Sequence, residues 1–218
     1  MRLRRRGTVL TGVTPLGDAI TLRPLRRGDR RDFLDLRARN ASWLVPWDPT
    51  VPPGGPPRRD LSSDFTGYVR ALEDEARAGA GLSLGIVVED ELVGLVSANG
   101  IVEGALRSCS IGYWVGREVA GRWIAPTAVA MLVDHLMDPD GRALHRVQLE
   151  IIPDNAPSLA VAAKLGLRDE GLKRAYLHIG GRWRDHRSFA VVSEEIGPDG
   201  LMGRLSHAYQ QSQARHTE

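Results

Sequence analysis

Two stretches of the sequence combine residue types that suit chemistry. GREVAGRWIAPTAV, residues 116–129, follows a β-rich run and leads into an apolar helical pattern. A helix start presents N–H groups without intrahelical acceptors at the positive end of the helix dipole, a setting that suits an anion. Gly116 and Gly121 permit tight turns and close approach, Pro126 needs no N–H near a helix start, and Arg117 and Arg122 add charge where a diphosphate would want it. The stretch contains neither G-x-x-x-x-G-K-[ST] nor G-x-G-x-x-G, so it is neither a P-loop nor a dinucleotide fingerprint. A tight turn with solvated arginines is the plain alternative.

The second stretch is DNAPSLAVAAKLG, residues 154–166. Asp154 or Asn155 would cap a helix here, and capping accounts for Asn155. It accounts less well for Ser158, near the third helical position. Ala156, Ala160, Ala162 and Ala163 let something approach the backbone closely, and Lys164 near the helix end suits the dipole and could reach an outer phosphate. Each stretch follows a strand, so both helices start from one end of the sheet. If those strands splay, an extended cofactor fits between them, with its phosphates on one helix start and its reactive end near Ser158.

The elements that must position these stretches follow from periodicity. Residues 19–23 read as a short strand broken by Pro24 and Gly28, and a helix begins near Asp29 with Phe33, Leu34 and Leu36 on its apolar side. The proline- and glycine-rich residues 48–60 form a surface loop. Phe65, Val69 and Leu72 recur at helical spacing until Gly79 and Gly81. Two β-rich runs then meet at a turn over Glu89 to Glu91, and in a third run Cys109, Ile111, Tyr113 and Val115 share one face. After the helix of the first stretch come a strand, HRVQLEII, the short helix of the second stretch, and a hairpin turning at Gly180 and Gly181. The fold class is α/β (α+β): a mixed, mostly antiparallel sheet with helices, in which one crossover sets two strands parallel.

With 218 residues, one domain with its own core is expected. The formal charge of +2 argues little for nucleic acid, although Arg2, Arg4, Arg5 and Arg6 form a local basic tail, read as solvated or as a polyanion contact. Cys109 is the single cysteine, which excludes an intrachain disulfide and a cysteine-rich zinc site and fits a cytoplasmic location. No apolar run approaches the ~18 residues of a membrane span, and the histidines do not cluster at metal-ligand spacing.

In combination, ITLRPL, LVPWDP, IGYWV, HRVQLEIIPDNAPSLAVAAKLGLRDEG and GRWRDHRSFAV resemble the GNAT superfamily of acyl-coenzyme A-dependent N-acetyltransferases, and within it the ribosomal-protein alanine N-acetyltransferases of the Rim type. The resemblance covers most of residues 21–193. It implies the GNAT fold with a splayed strand pair, an acetyltransferase domain over residues 19–196, a basic arm or edge strand over 1–18 and a tail with a loose helix over 197–218. The implied cofactor is acetyl-CoA. Ala120, Gly121, Arg122, Trp123, Ile124 and Ala125 would hold its diphosphate with Arg117 and Lys164 nearby. Tyr113, Trp114 and Val115 would hold the pantetheine arm from one side and Asn155 from the other, and Ser158 would protonate the departing sulfur. Trp123 departs from the family, which keeps a glycine there. Its indole must turn away from the phosphates, and a positive φ would strain it.

Acetyl transfer needs a neutral amine, a polarised carbonyl and a protonated leaving group. Glu150, Glu103, His145 and Tyr176 are candidate bases, although Glu150 reads better as a carboxylate on the exposed face of the sheet and Glu103, in a turn, as a solvated one. Trp47 could wall an acceptor site, with Tyr176 and Asp185 as further acceptor contacts. An ion pair of Asp185 with Arg184 or Arg187 is the alternative. Cys109, in mid-strand, reads as a buried hydrophobe and not a nucleophile. The implied acceptor is a protein N-terminus, ribosomal by analogy. The alternatives are a small amine such as a polyamine or aminoglycoside, and a catalytically weakened CoA-binding or protein-binding module, for which Trp123 speaks. A homodimer is left open; a membrane and direct nucleic-acid contact are not expected.

Overall fold

The computed structural model describes residues 7–56 and 60–215. The basic cluster Arg2 to Arg6 and part of the 48–60 loop lie outside the described residues. Eight strands form one sheet in the order β1-β2-β3-β4-β5-β6-β8-β7. They are β1 (Leu10–Val13), β2 (Ala19–Arg23), β3 (Gly81–Val88), β4 (Glu91–Val102), β5 (Ser108–Val115), β6 (Arg146–Ile151), β7 (Arg168–Ile179) and β8 (Arg182–Val192). Every neighbouring pair is antiparallel except β5 and β6. The helices are α1 (Arg30–Arg39), α2 (Ala41–Leu44), α3 (Phe65–Ala78), α4 (Ile124–Met137), α5 (Ala156–Lys164) and α6 (Gly200–Ala214).

Side-chain alternation divides the sheet into two faces. Leu84, Val96, Cys109, Ile111, Val147 and Leu149 pack beneath α4, α5 and α6 in the larger core. Val87, Leu92, Leu95 and Trp114 pack with Phe33, Leu36 and Phe65 of α1 and α3 in the smaller one. Helix α3 begins at a capped end, where the Asp64 carboxylate accepts from Gly67 N–H at 2.9 Å, and stops at Gly79 with φ 77°. The β3–β4 turn places Glu89 and Asp90 at positive φ, and the β7–β8 turn places Gly180 and Gly181 there, as two-residue hairpins require.

Three elements differ from what periodicity suggests. Strand β1 carries too short an alternation to announce itself, and it pairs with β2 at the sheet edge. Strand β7 begins at Arg168, well before the tyrosine where its pattern becomes readable, because most of it is exposed and bulged. Helix α4 is buried nearly all round rather than along a stripe, since α6 covers its outer side. The carboxylate of Asp134 on α4 holds α6 in place by accepting from Leu201 N–H at 2.6 Å and Met202 N–H at 3.0 Å. No helix among the described residues is long and apolar enough to cross a membrane.

Candidate active site

The parallel pair β5–β6 is in register only from Ser108 opposite Arg146 to Ser110 opposite Gln148. Beyond that point no ladder joins them, and the carboxyl ends of the two strands part. A cavity of about 1100 Å³ passes through the gap from one sheet face to the other. Tyr113, Ile124, Ser158 and Val161 line it on the α4–α5 side; Trp43, Tyr68, Leu72 and Trp114 line it on the α1–α3 side.

On the first side, the loop after β5 spends its early donors internally. Gly116 N–H goes to Val93 O (2.9 Å), Arg117 N–H to Asn40 Oδ1 (2.8 Å) and Ala120 N–H to Arg117 O (3.1 Å). Gly121, Trp123, Ile124 and Ala125 donate to no protein acceptor among the described residues, and Pro126 has no N–H to lose. These donors sit at the positive end of α4. Lys164 lines the same end of the cavity with no carboxylate partner among the described residues, and burial holds its pKa down.

Trp123 has φ 62°, the conformation that glycine adopts without cost. Its indole stands edge-on against Tyr209 of α6 at 5.3 Å, with Lys164 Nζ 4.1 Å above its ring, and the residue lines the cavity.

Helix α5 brings Ser158 to the gap. Asn155 caps it, accepting from Ser158 N–H at 3.2 Å, and its amide NH2 has no partner among the described residues. Asp154 instead takes a hydrogen bond from Arg184 at 2.9 Å. Ser158 Oγ lies 2.6 Å from the phenol of Tyr113 across the gap. Burial pushes the Tyr113 phenol far up, so it stays protonated and its O–H can donate to Ser158, leaving the serine proton for a third atom. Trp43, whose role no local signal announced, donates its indole N–H to Val115 O at 3.2 Å.

On the other side, Glu150 is 8 % exposed in its side chain. Its Oε1 accepts from Lys173 Nζ at 2.5 Å and from Ser188 Oγ at 3.1 Å, whereas Oε2 is buried without a hydrogen bond. Tyr176, Trp47 and His186 line this end. Above it, the loop after α2 is tied to the end of β7 by the Pro49–Ile179 bridge and by Thr50 N–H to His178 O at 2.8 Å.

Five of the residues proposed from sequence lie away from the cavity. Arg122 is paired with Asp18 at 2.6 Å, and Arg117 lines a separate shallow depression of about 480 Å³ with Arg39, Asn40 and Glu118. Glu103 stands exposed near Arg142 at 3.6 Å, and Asp185 accepts from Ala175 N–H at 2.7 Å, fixing a bulge of β7. His145 is also elsewhere, at 3.1 Å from Glu194. Cys109 is buried in the core, which pushes its thiol pKa to about 12.

Residues 19–168 match the family described as the acetyltransferase (GNAT) domain. A structure of Mycobacterium smegmatis RimJ in complex with CoA-disulfide superposes with a TM-score of 0.83 at 35% identity, covering 94% of this chain and 96% of that one. The [ribosomal protein uS5]-alanine N-acetyltransferase of Escherichia coli is 26% identical, over 86% of this chain and 92% of its own. The Bacillus subtilis protein named "Probable N-acetyltransferase YjcK" is 29% identical over 82% of this chain and 97% of its own.

Proposed function

This chain belongs to the GNAT acetyltransferase family, and from that premise we propose that it moves an acetyl group from acetyl-CoA to the α-amino group of a protein N-terminus. The single observation that carries the reading is the parted β5–β6 pair, whose gap opens to unspent main-chain donors and Ser158 on one side and to Glu150 and His186 on the other. The site fits the coenzyme on these grounds. Gly121, Trp123, Ile124 and Ala125 would hold the diphosphate through their N–H groups, with Lys164 as the nearby cation. The parted edge at Tyr113, Trp114 and Val115 and the free amide of Asn155 would flank the pantetheine arm. RimJ, whose structure is the similar one described above, contains CoA-disulfide.

Bound acetyl-CoA supplies an activated thioester. The chain's own part is to bring the acceptor amine to it, which converts an encounter into a step within one complex and supplies much of the rate. An α-amine titrates near ~8, so about a tenth is neutral at pH 7 and a strong base is not required. Ser158 holds a proton on Oγ, backed by the Tyr113 phenol, at the place where a sulfur would depart, a general-acid role worth about 10²–10⁴ in rate. Glu150 places a carboxylate at the end of the cavity where the amine would arrive.

The charge at the acceptor end favours a single amine over a polycation. Of the acidic residues lining the cavity, Asp48, Glu75 and Glu150, the first is spent on Arg37 and one oxygen of the last on Lys173. The E. coli relative acts on ribosomal protein uS5, which suggests a ribosomal protein as acceptor here as well.

The test is a panel of peptides beginning with alanine, serine or methionine, incubated with acetyl-CoA and scored for a single acetyl mass shift. At least one is acetylated at its α-amine, and Ser158→Ala slows it by about 100-fold while acetyl-CoA affinity stays within about twofold. Unchanged turnover in Ser158→Ala would remove that serine from its role; no acetylated peptide would remove the acceptor class.

A further inference from the structure

The β7–β8 hairpin places a histidine beside Glu150 that nothing so far has used. Glu150 on β6 faces Ser188 on β8 across the ladder, and His186 stands two residues before Ser188, on the same face. His186 is itself opposite Lys173 on β7. It is 2 % exposed, yet it lines the cavity. Its Nδ1 lies 3.1 Å from Arg184 O. A carbonyl oxygen only accepts, so Nδ1 carries the proton, and in the neutral ring Nε2 is a bare acceptor. Nε2 has no partner among the described residues, and the Tyr176 ring packs against the imidazole at 5.5 Å.

Glu150 and His186 thus line the acceptor end of the cavity together, the first with its Oε2 buried without a hydrogen bond and the second with a bare acceptor at Nε2. Their roles are not equal. Lys173 and Ser188 hold Glu150 through Oε1, fixing an anion in place. An imidazole is a stronger base than a carboxylate by about two pK units and lies closer to an α-amine, so proton transfer from an ammonium to it is the less uphill of the two. We infer that His186 is a catalytic residue that takes the proton of the acceptor's ammonium at Nε2, while the neighbouring Glu150 carboxylate attracts that ammonium to the end of the cavity. This rests on the acetyltransferase reading above and adds to it the protonation state in which the acceptor arrives.

The step balances simply. One N–H bond of the ammonium breaks and one Nε2–H bond forms, giving a neutral amine and an imidazolium, and the imidazolium later returns its proton to solvent. Burial lowers the pKa of His186, so the ring is neutral and ready at pH 7. The charged and titratable groups around it are Glu150 on β6, Lys173 and Tyr176 on β7, and Arg184 and Asp185 on β8 itself.

The experiment compares two acceptors, a peptide with an ordinary α-amine and the same peptide beginning with an aminooxyacetyl group, which is weakly basic and already neutral at pH 7. In His186→Gln, kcat/KM falls by about 30-fold or more on the ordinary amine and by no more than about threefold on the aminooxy acceptor. Equal loss on both acceptors, or no loss on either, would overturn the inference. The wild-type pH profile is a second check that needs no variant. If ammonium is the form captured, kcat/KM on the ordinary peptide is level between the lowered pKa of His186 and the amine pKa near ~8. A tenfold rise per pH unit across that interval would show that only free amine is used and would contradict the proposal. Acetylation of both acceptors by the wild type upholds the acetyltransferase reading whatever the variant does, whereas acetylation of neither would overturn both.

Discussion

Trp123 is the residue where local energetics and site geometry meet most openly. Holding a non-glycine residue in the left-handed region costs about 1–2 kcal/mol. An edge-on aromatic contact returns about 0.5–1.5 kcal/mol and a cation over the ring about 0.5–1 kcal/mol, so the two sides nearly cancel. The indole thereby supports Lys164 at the donor-rich helix start. Trp123→Gly should shift stability by less than about 1 kcal/mol and weaken acetyl-CoA binding by about three- to tenfold, measured by calorimetry. Tighter binding would show that the indole obstructs the site. At this scale the sequence was partly legible. Ser158, Asn155 and Glu150 stood out because strand and helix periods aim them at one gap. His186, Lys173 and Trp43 did not, because their roles depend on pairings across strands that no local pattern records. Arg122, Glu103 and Asp185 had suitable chemistry but found nearer partners, and Arg117 lines a separate depression.

At the scale of elements, the join between β2 and α1 rests on one carboxylate. Asp29 accepts from both Arg23 guanidinium nitrogens, at 2.7 and 2.9 Å, and from Arg26 N–H at 2.6 Å. Desolvation pushes its pKa up, but the bonds from Arg23 and Arg26 outweigh it, and the net shift is downward. A lowered carboxyl pKa stabilises the fold fully above the unfolded value, near ~3.9, and that contribution disappears as pH falls through the folded value. Asp29→Asn should therefore cost about 2 kcal/mol at pH 7 in urea unfolding, and the gap from the wild type should close below about pH 3.9. A gap that does not change with pH would mean that the ion pair contributes nothing through its charge. The elements themselves were readable wherever a buried face imposed a period, as in α3 and β3 to β5. Strands β1 and β7 were hard to place because each lies at a sheet edge and buries little.

For the whole molecule, the order of the sheet makes the site. The crossover through α4 sets β5 beside β6 in parallel, and each strand hands over to a helix at the same end. The parting of that pair opens a passage between two faces that are otherwise sealed by separate apolar cores. In the proposed function one face serves an anionic, extended ligand and the other an amine, and the two would meet at the Tyr113–Ser158 bond. Titration of the purified protein with acetyl-CoA in a calorimeter tests this most directly. The account predicts one site per chain with a Kd on the order of micromolar, and a titration showing no binding at about 1 mM acetyl-CoA would contradict it.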